Sequence, residues 1–129
     1  MDLFEVTVGA GSLRSTSDRV VAFPHRWTPG GVTVDGPFTG GHLLSLTVAG
    51  CVLNDTFREA ERLGIALEGV QVVAVGAFDA DWHSTGITYS IELDTMAPAS
   101  DRAALIERVE LVAEMPKALG QSTSVSLRR

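Results

Sequence analysis

His42-Leu43-Leu44-Ser45-Leu46-Thr47-Val48-Ala49-Gly50-Cys51-Val52-Leu53-Asn54-Asp55-Thr56-Phe57-Arg58-Glu59-Ala60-Glu61-Arg62-Leu63, closed by Gly64, is the stretch on which the fold turns. Its length predicts a helix of about six turns, beyond the usual three or four. The first half is apolar nearly all round, which predicts burial on most sides. The second half is amphipathic. Gly64 is a natural helix stop, with Ile65 behind it. In a small chain one layer of sheet covers only one side of such a helix. The other side calls for a second helix or a second subunit.

Outward from the helix, both flanks read as strands. Upstream, residues 3–8 mix apolar and β-branched side chains, and Gly9 and Gly11 mark a turn. Arg19 to Phe23 is a second strand, ended by Pro24. Val32-Thr33-Val34 is a third, between Gly30-Gly31 and Asp35-Gly36-Pro37. Three short strands punctuated by turn residues predict an antiparallel meander. Downstream, Val70 to Phe78 and the alternating Ile87 to Leu93 form a hairpin joined through Asp79 to Gly86. Ser100 is the expected N-cap of a helix through Leu105, Ile106, Val109 and Val112. Pro116 restarts or kinks it, Gly120 stops it, and Ser122 to Leu127 alternates as a last strand. The order βββ-α-ββ-α-β is an α+β layout without an internal repeat, expected as one domain over residues 1–129.

The totals set bounds on function. At 129 residues and 13.7 kDa the chain can bury a sizeable core without a disulfide or metal. Its one cysteine, Cys51, can form no internal disulfide. The net charge of −6 argues against nucleic acid or an anionic membrane as partner. No basic region precedes an apolar run at the N-terminus, and no apolar stretch approaches the roughly 20 residues that span a bilayer. The expectation is a soluble, reduced, cytoplasmic protein.

Cys51 is the residue on which function hangs. A cysteine among Leu, Val and Ala on a buried helix is either a small core hydrophobe or a nucleophile, and a nucleophile must be a thiolate. Its helical neighbours Thr47, Val48, Asn54 and Asp55 include no cation, and Asp55 would disfavour the thiolate. Any activating charge must come from far along the chain, with Arg14, Arg19 or Arg26 as donors. Other candidates are weaker. His25, His42 and His83 with Asp79 and Asp81 lack helical ligand spacing and read as solvated turn residues, so no metal and no cofactor is expected. His42 suits capping or a pocket mouth. Met115 suits a pocket wall or core filler. Trp27 and Phe38 suit a lid or simple packing. Gly9-Ala10-Gly11-Ser12 is too short for a phosphate loop, and Arg58, Glu59, Glu61 and Arg62 read as a solvated helix face.

Two stretches carry a family resemblance. These are Gly40-Gly41-His42-Leu43-Leu44-Ser45-Leu46-Thr47-Val48-Ala49-Gly50-Cys51, with Asn54, Arg62 and Gly64-Ile65 beyond, and Glu114-Met115-Pro116-Lys117-Ala118-Leu119-Gly120. Together with the layout, the chain resembles the OsmC/Ohr family of thiol-dependent hydroperoxide reductases. The resemblance implies an intertwined homodimer with the cysteine-bearing helices packed centrally and the sites at the subunit interface. It implies a peroxidatic thiolate at Cys51 that attacks an organic hydroperoxide to give a sulfenic acid. A second cysteine then closes a disulfide that a dithiol reopens. That second position is Met115 here, ahead of Pro116, and methionine cannot close a disulfide. The carboxylate expected at the start of the long helix is replaced by Gly40-Gly41. The family's arginine after the first strand falls on Arg14, with Arg19 next.

The resemblance thus implies a one-cysteine peroxidase, an antioxidant of the oxidative stress response. Cys51 and Arg14 would be catalytic, and Arg19, His42 and Met115 would line the pocket. An external thiol would reduce the sulfenic acid. The alternative is a non-enzymatic member of the fold, binding an apolar ligand or sensing oxidation through Cys51. A third reading is an interaction module with an inert cysteine.

Overall fold

A computed structural model of the protein describes residues 2–129. It contains six strands and three helices in the order β1 (Phe4–Gly11), β2 (Val21–Phe23), β3 (Val32–Asp35), α1 (Gly40–Leu63), β4 (Gly69–Phe78), β5 (Ser84–Asp94), α2 (Ala99–Val112), α3 (Glu114–Leu119) and β6 (Val125–Leu127). The α+β class and the central helix are as expected.

The strands form one sheet ordered β2-β3-β1-β4-β5-β6. This corrects the meander. β1 pairs with β3, placing Val8 opposite Val34, and β2 pairs with β3 at the sheet edge, placing Ala22 opposite Thr33. The chain between β1 and β2 is too long for a tight hairpin, and β3 takes the inner position. β4 runs antiparallel to both β1 and β5, with Val72 opposite Val8 on one side and Ile91 on the other. β6 lies parallel to β5, with Leu127 opposite Tyr89. A parallel neighbour requires a crossover, and α2 and α3 supply it.

Alternation along the strands sends Val6, Val8, Ala10, Val70, Val72, Ala74, Ile87 and Tyr89 to the inner face, all buried. Against them α1 lays Val48, Ala49, Val52, Leu53 and Phe57. α2 closes the core from beyond α1 with Leu105 and Val109. Each valine, leucine or isoleucine among them contributes about 1.5–3 kcal/mol when fully buried.

α1 starts at Thr39, whose Oγ1 accepts the His42 N–H at 3.1 Å. It ends at Gly64, whose φ of +71° suits glycine, and the Ile65 N–H bonds back to the Ala60 carbonyl at 2.9 Å. One expectation for the helices changes. The cap of α2 is Pro98, with Ser100 inside the first turn, because Pro98 already holds the extended backbone that a cap requires. Within one chain the apolar first half of α1 is covered only in part. Leu43 is 39% exposed and Leu44 and Leu46 are only partly buried, because α2 and α3 pack over the second half. Among the described residues no helix is long and apolar enough to cross a membrane.

Candidate functional site

Cys51 lies midway along α1, partly buried, and its Sγ faces the start of α3. One turn on, Asp55 is 4% exposed, and the thiol donates to its Oδ2 at 3.4 Å. From α3 the backbone N–H of Met115 donates to Sγ at 3.5 Å. Burial pushes the thiol pKa up, and the nearby charges of Asp55 and Glu114 add to that rise. The Met115 N–H opposes it, and the result is about 11. Cys51 is therefore a neutral thiol at neutral pH. Burial also raises the Asp55 carboxyl, against the hydrogen bond from Cys51 and the charge of Arg58.

Arg58 is the cation nearest this cluster, and it is already committed. Its guanidinium meets Asp55 Oδ1 at 3.2 Å, Glu59 Oε2 at 2.9 Å and Glu114 Oε2 at 3.0 Å. Glu59 is a correction to the solvated helix face. It is 1% exposed because α2 packs over it, and Arg108 from α2 bonds its other oxygen at 3.0 Å. Burial alone would raise the Glu59 carboxyl. Hydrogen bonds from Arg58 and Arg108, with the charge of Arg62, outweigh it and hold the pKa below its ordinary value. The ligand atoms of Cys51, Asp55 and Glu114 lie within 4.8 Å of one another, close enough to share a cation. The thiol is protonated and Arg58 occupies the carboxylates, so a metal would have to displace both.

The residues singled out in the sequence are distributed as follows. Met115 meets Cys51 through its backbone, with its side chain 39% exposed. Arg14 is exposed, and its guanidinium lies against Gly30, where a Cβ would collide with it. Arg19 pairs with Asp35 at 3.5 Å on the surface. His42 bonds Thr39 Oγ1 through Nδ1 at 2.6 Å and packs edge-on against Phe4. His25 bonds Asn54 at 3.0 Å, and Trp27 stacks on Phe57, so Trp27 packs instead of forming a lid. Phe38 is 88% exposed. Within one chain, then, Cys51 and Met115 come together, while the contacts of Arg14, Arg19 and His42 are made elsewhere.

A groove runs beside the cysteine. Two adjoining hollows of about 270 and 220 Å³ share Phe23, Val34 and Leu46, between the β2–β3 edge and α1. His25 and Asn54 give one end a polar rim, and His42 and Leu43 line the other. Gly50 borders the groove, whereas Cys51 turns towards α3. Asp55, Arg58 and Glu114 were the site residues that sequence reading did not assemble. The spacing of Cys51, Asp55 and Arg58 on one helix was the available signal for two of them. Glu114 reaches them only through the path of α2.

No family model matches the chain, and no curated protein matches it. Solved structures do. An OsmC-like protein from Mycoplasma pneumoniae superposes with a TM-score of 0.61 at 11% identity, covering 84% of this chain and 92% of that one. An organic hydroperoxide resistance protein OsmC from Legionella pneumophila gives 0.60 at 16%, covering 88% and 97%. An OsmC-like hydroperoxide resistance protein from Jannaschia sp. gives 0.55 at 17%, covering 92% and 87%. The chain has the OsmC-like fold.

Proposed function

We propose that this chain is a non-enzymatic protein of the OsmC-like fold, a homodimer that holds an apolar small molecule in the groove between β2, β3 and α1. The observation that carries this reading is the Cys51–Asp55 pair. The thiol is tied to a buried carboxylate, and the nearest guanidinium is spent on that carboxylate and two others, Glu59 and Glu114. A thiol with a pKa near 11 has almost no thiolate at neutral pH, and Met115 offers no sulfur to resolve a sulfenic acid. The groove supports ligand binding by its apolar walls and its short polar rim. The exposure of Val21, Phe23, Phe38 and Leu43 around it supports a second copy packed over this face.

The test is the rate at which an organic hydroperoxide oxidises Cys51, followed by mass spectrometry on native protein. A rate no faster than that of a free thiol is the expected result. Titration with a medium-chain alcohol should shift the backbone resonances of Phe23, Leu46 and Asn54 saturably.

One observation favours a second reading. Cys51 is partly open, and the Met115 N–H is placed to stabilise a thiolate. In a one-cysteine peroxidase, Cys51 would attack the distal oxygen of a hydroperoxide, giving a sulfenic acid and an alcohol. An external thiol would then reduce the sulfenic acid. This needs Arg14 or Arg19 delivered to Cys51 from a second copy, since within one chain they sit on Gly30 and Asp35. Rapid oxidation of Cys51, reversed by an added thiol, would replace the first reading with this one.

A further inference from the structure

We propose that the hollow at the tip of the β4–β5 hairpin is a binding site for a small trimethylammonium cation. The tip is Asp79-Ala80-Asp81-Trp82-His83. The Trp82 N–H bonds the Asp79 carbonyl at 3.0 Å, and the Asp79 N–H bonds the His83 carbonyl at 2.9 Å. This three-residue loop places Trp82 where glycine or asparagine usually stands. Trp82 is the non-glycine residue with a positive φ, at 63°, among the described residues. A bulky aromatic side chain in that conformation is a genuine outlier, and strain of this kind gathers at functional positions.

The strain puts an indole where it would otherwise not be. Trp82 is 70% exposed, yet its ring lies 5.4 Å from Phe78 and 6.4 Å from Phe4, and those two rings meet at 5.3 Å. Phe4 is fixed from behind, because Gly41 leaves its ring the space that a Cβ would take. The three rings wall a hollow of about 300 Å³ completed by Asp2, Asp79 and Ala80.

Two features set the ligand's chemistry. Aromatic faces carry negative potential and attract cations, most strongly at tryptophan. Two carboxylates add to that field. Asp79 stays ionised, held by the backbone N–H groups of His83 and Asp81. His83 Nδ1 lies 3.3 Å from Asp79 Oδ2. A primary ammonium is strongly hydrated and gains little from rings. A trimethylammonium group presents methyls to the aromatic walls and keeps its charge, the combination that aromatic cages select.

The experiment is a titration of the native protein with tetramethylammonium and with choline. The readouts are the Trp82 indole N–H and the backbone resonances of Phe78 and Ala80. The neutral tert-butyl analogue of choline and trimethyllysine amide form parallel arms. Saturable shifts with both small cations, and binding of the neutral analogue about tenfold weaker, are expected. Trp82→Gly removes the ring and relieves the backbone, so the hairpin should keep or gain stability while affinity falls about tenfold. Asp2→Asn should weaken binding about threefold. Equal binding of the neutral analogue, no saturation by choline, or unchanged affinity in Trp82→Gly would each overturn the proposal. Saturation by trimethyllysine amide but not choline would also overturn the small-molecule assignment.

Discussion

The Sγ of Cys51 donates its proton to Oδ2 of Asp55, 3.4 Å away and one turn further along α1. The carboxylate thereby keeps the sulfur in the form that cannot attack a peroxide. Removing its charge should release the thiol. In Asp55→Asn the thiol pKa is expected to fall below about 11. Each unit of fall multiplies the thiolate fraction tenfold, so alkylation by iodoacetamide at mildly alkaline pH should quicken by about that factor. An unchanged rate would mean that Asp55 does not hold the proton on the thiol.

The same shift links stability to pH. The folded thiol holds its proton more tightly than the unfolded one, so its contribution is complete below the unfolded pKa and is lost as pH rises towards about 11. Tyr89, also raised by burial, works in the same direction. Denaturant unfolding of the parent and of Cys51→Ala across the alkaline range separates the two. The difference between them should shrink by about 1–2 kcal/mol as pH rises through that window.

Glu59 should matter to stability more than any exposed ion pair. It is 1% exposed and bonded to Arg58 from its own helix and to Arg108 from α2. Glu59→Ala leaves those arginines without their shared partner and should cost about 2–4 kcal/mol in urea unfolding. The Glu59 pKa is lowered, so its stabilisation persists above the ordinary carboxylate range and is lost as pH falls through the folded value. Glu59→Gln should flatten that acid dependence.

The apolar face around Phe23 and Leu43 should govern association. Sedimentation of the parent at micromolar concentration is expected to give a dimer. Phe23→Asp combined with Leu43→Asp should give a folded monomer, since neither side chain is part of the buried core of one chain. A parent that sediments as a monomer would remove the homodimer from the proposed function.

Core packing of α1 offers a plainer check. Leu53 is 1% exposed and sits between sheet and helices. Leu53→Ala should cost about 2–5 kcal/mol, read from the same unfolding curves.

Much of this architecture was legible because local signals agreed with the global fold. Gly64 marked the end of α1, and the alternation from Ile87 to Leu93 marked β5. The order of β2 and β3 was hidden, because strand pairing depends on contacts between segments far apart in sequence. Glu59 was misread for a similar reason. A charged pattern such as Arg58-Glu59 looks solvated until another helix brings Arg108 against it. At the site, Cys51 and Met115 could be matched by resemblance, yet the thiol's proton acceptor was judged only by its charge. Whether Asp55 is buried against Cys51 depends on where α3 lands.

The sheet has its longest strands, β4 and β5, away from its borders. At each border lies a strand of only three residues, Val21–Phe23 on one side and Val125–Leu127 on the other. Free backbone donors and acceptors at a border are what let one polypeptide template the next. Three residues offer too short a ladder to hold an incoming strand, so an added chain would have to seek the part of β5 beyond Ile87–Tyr89, which β6 does not pair.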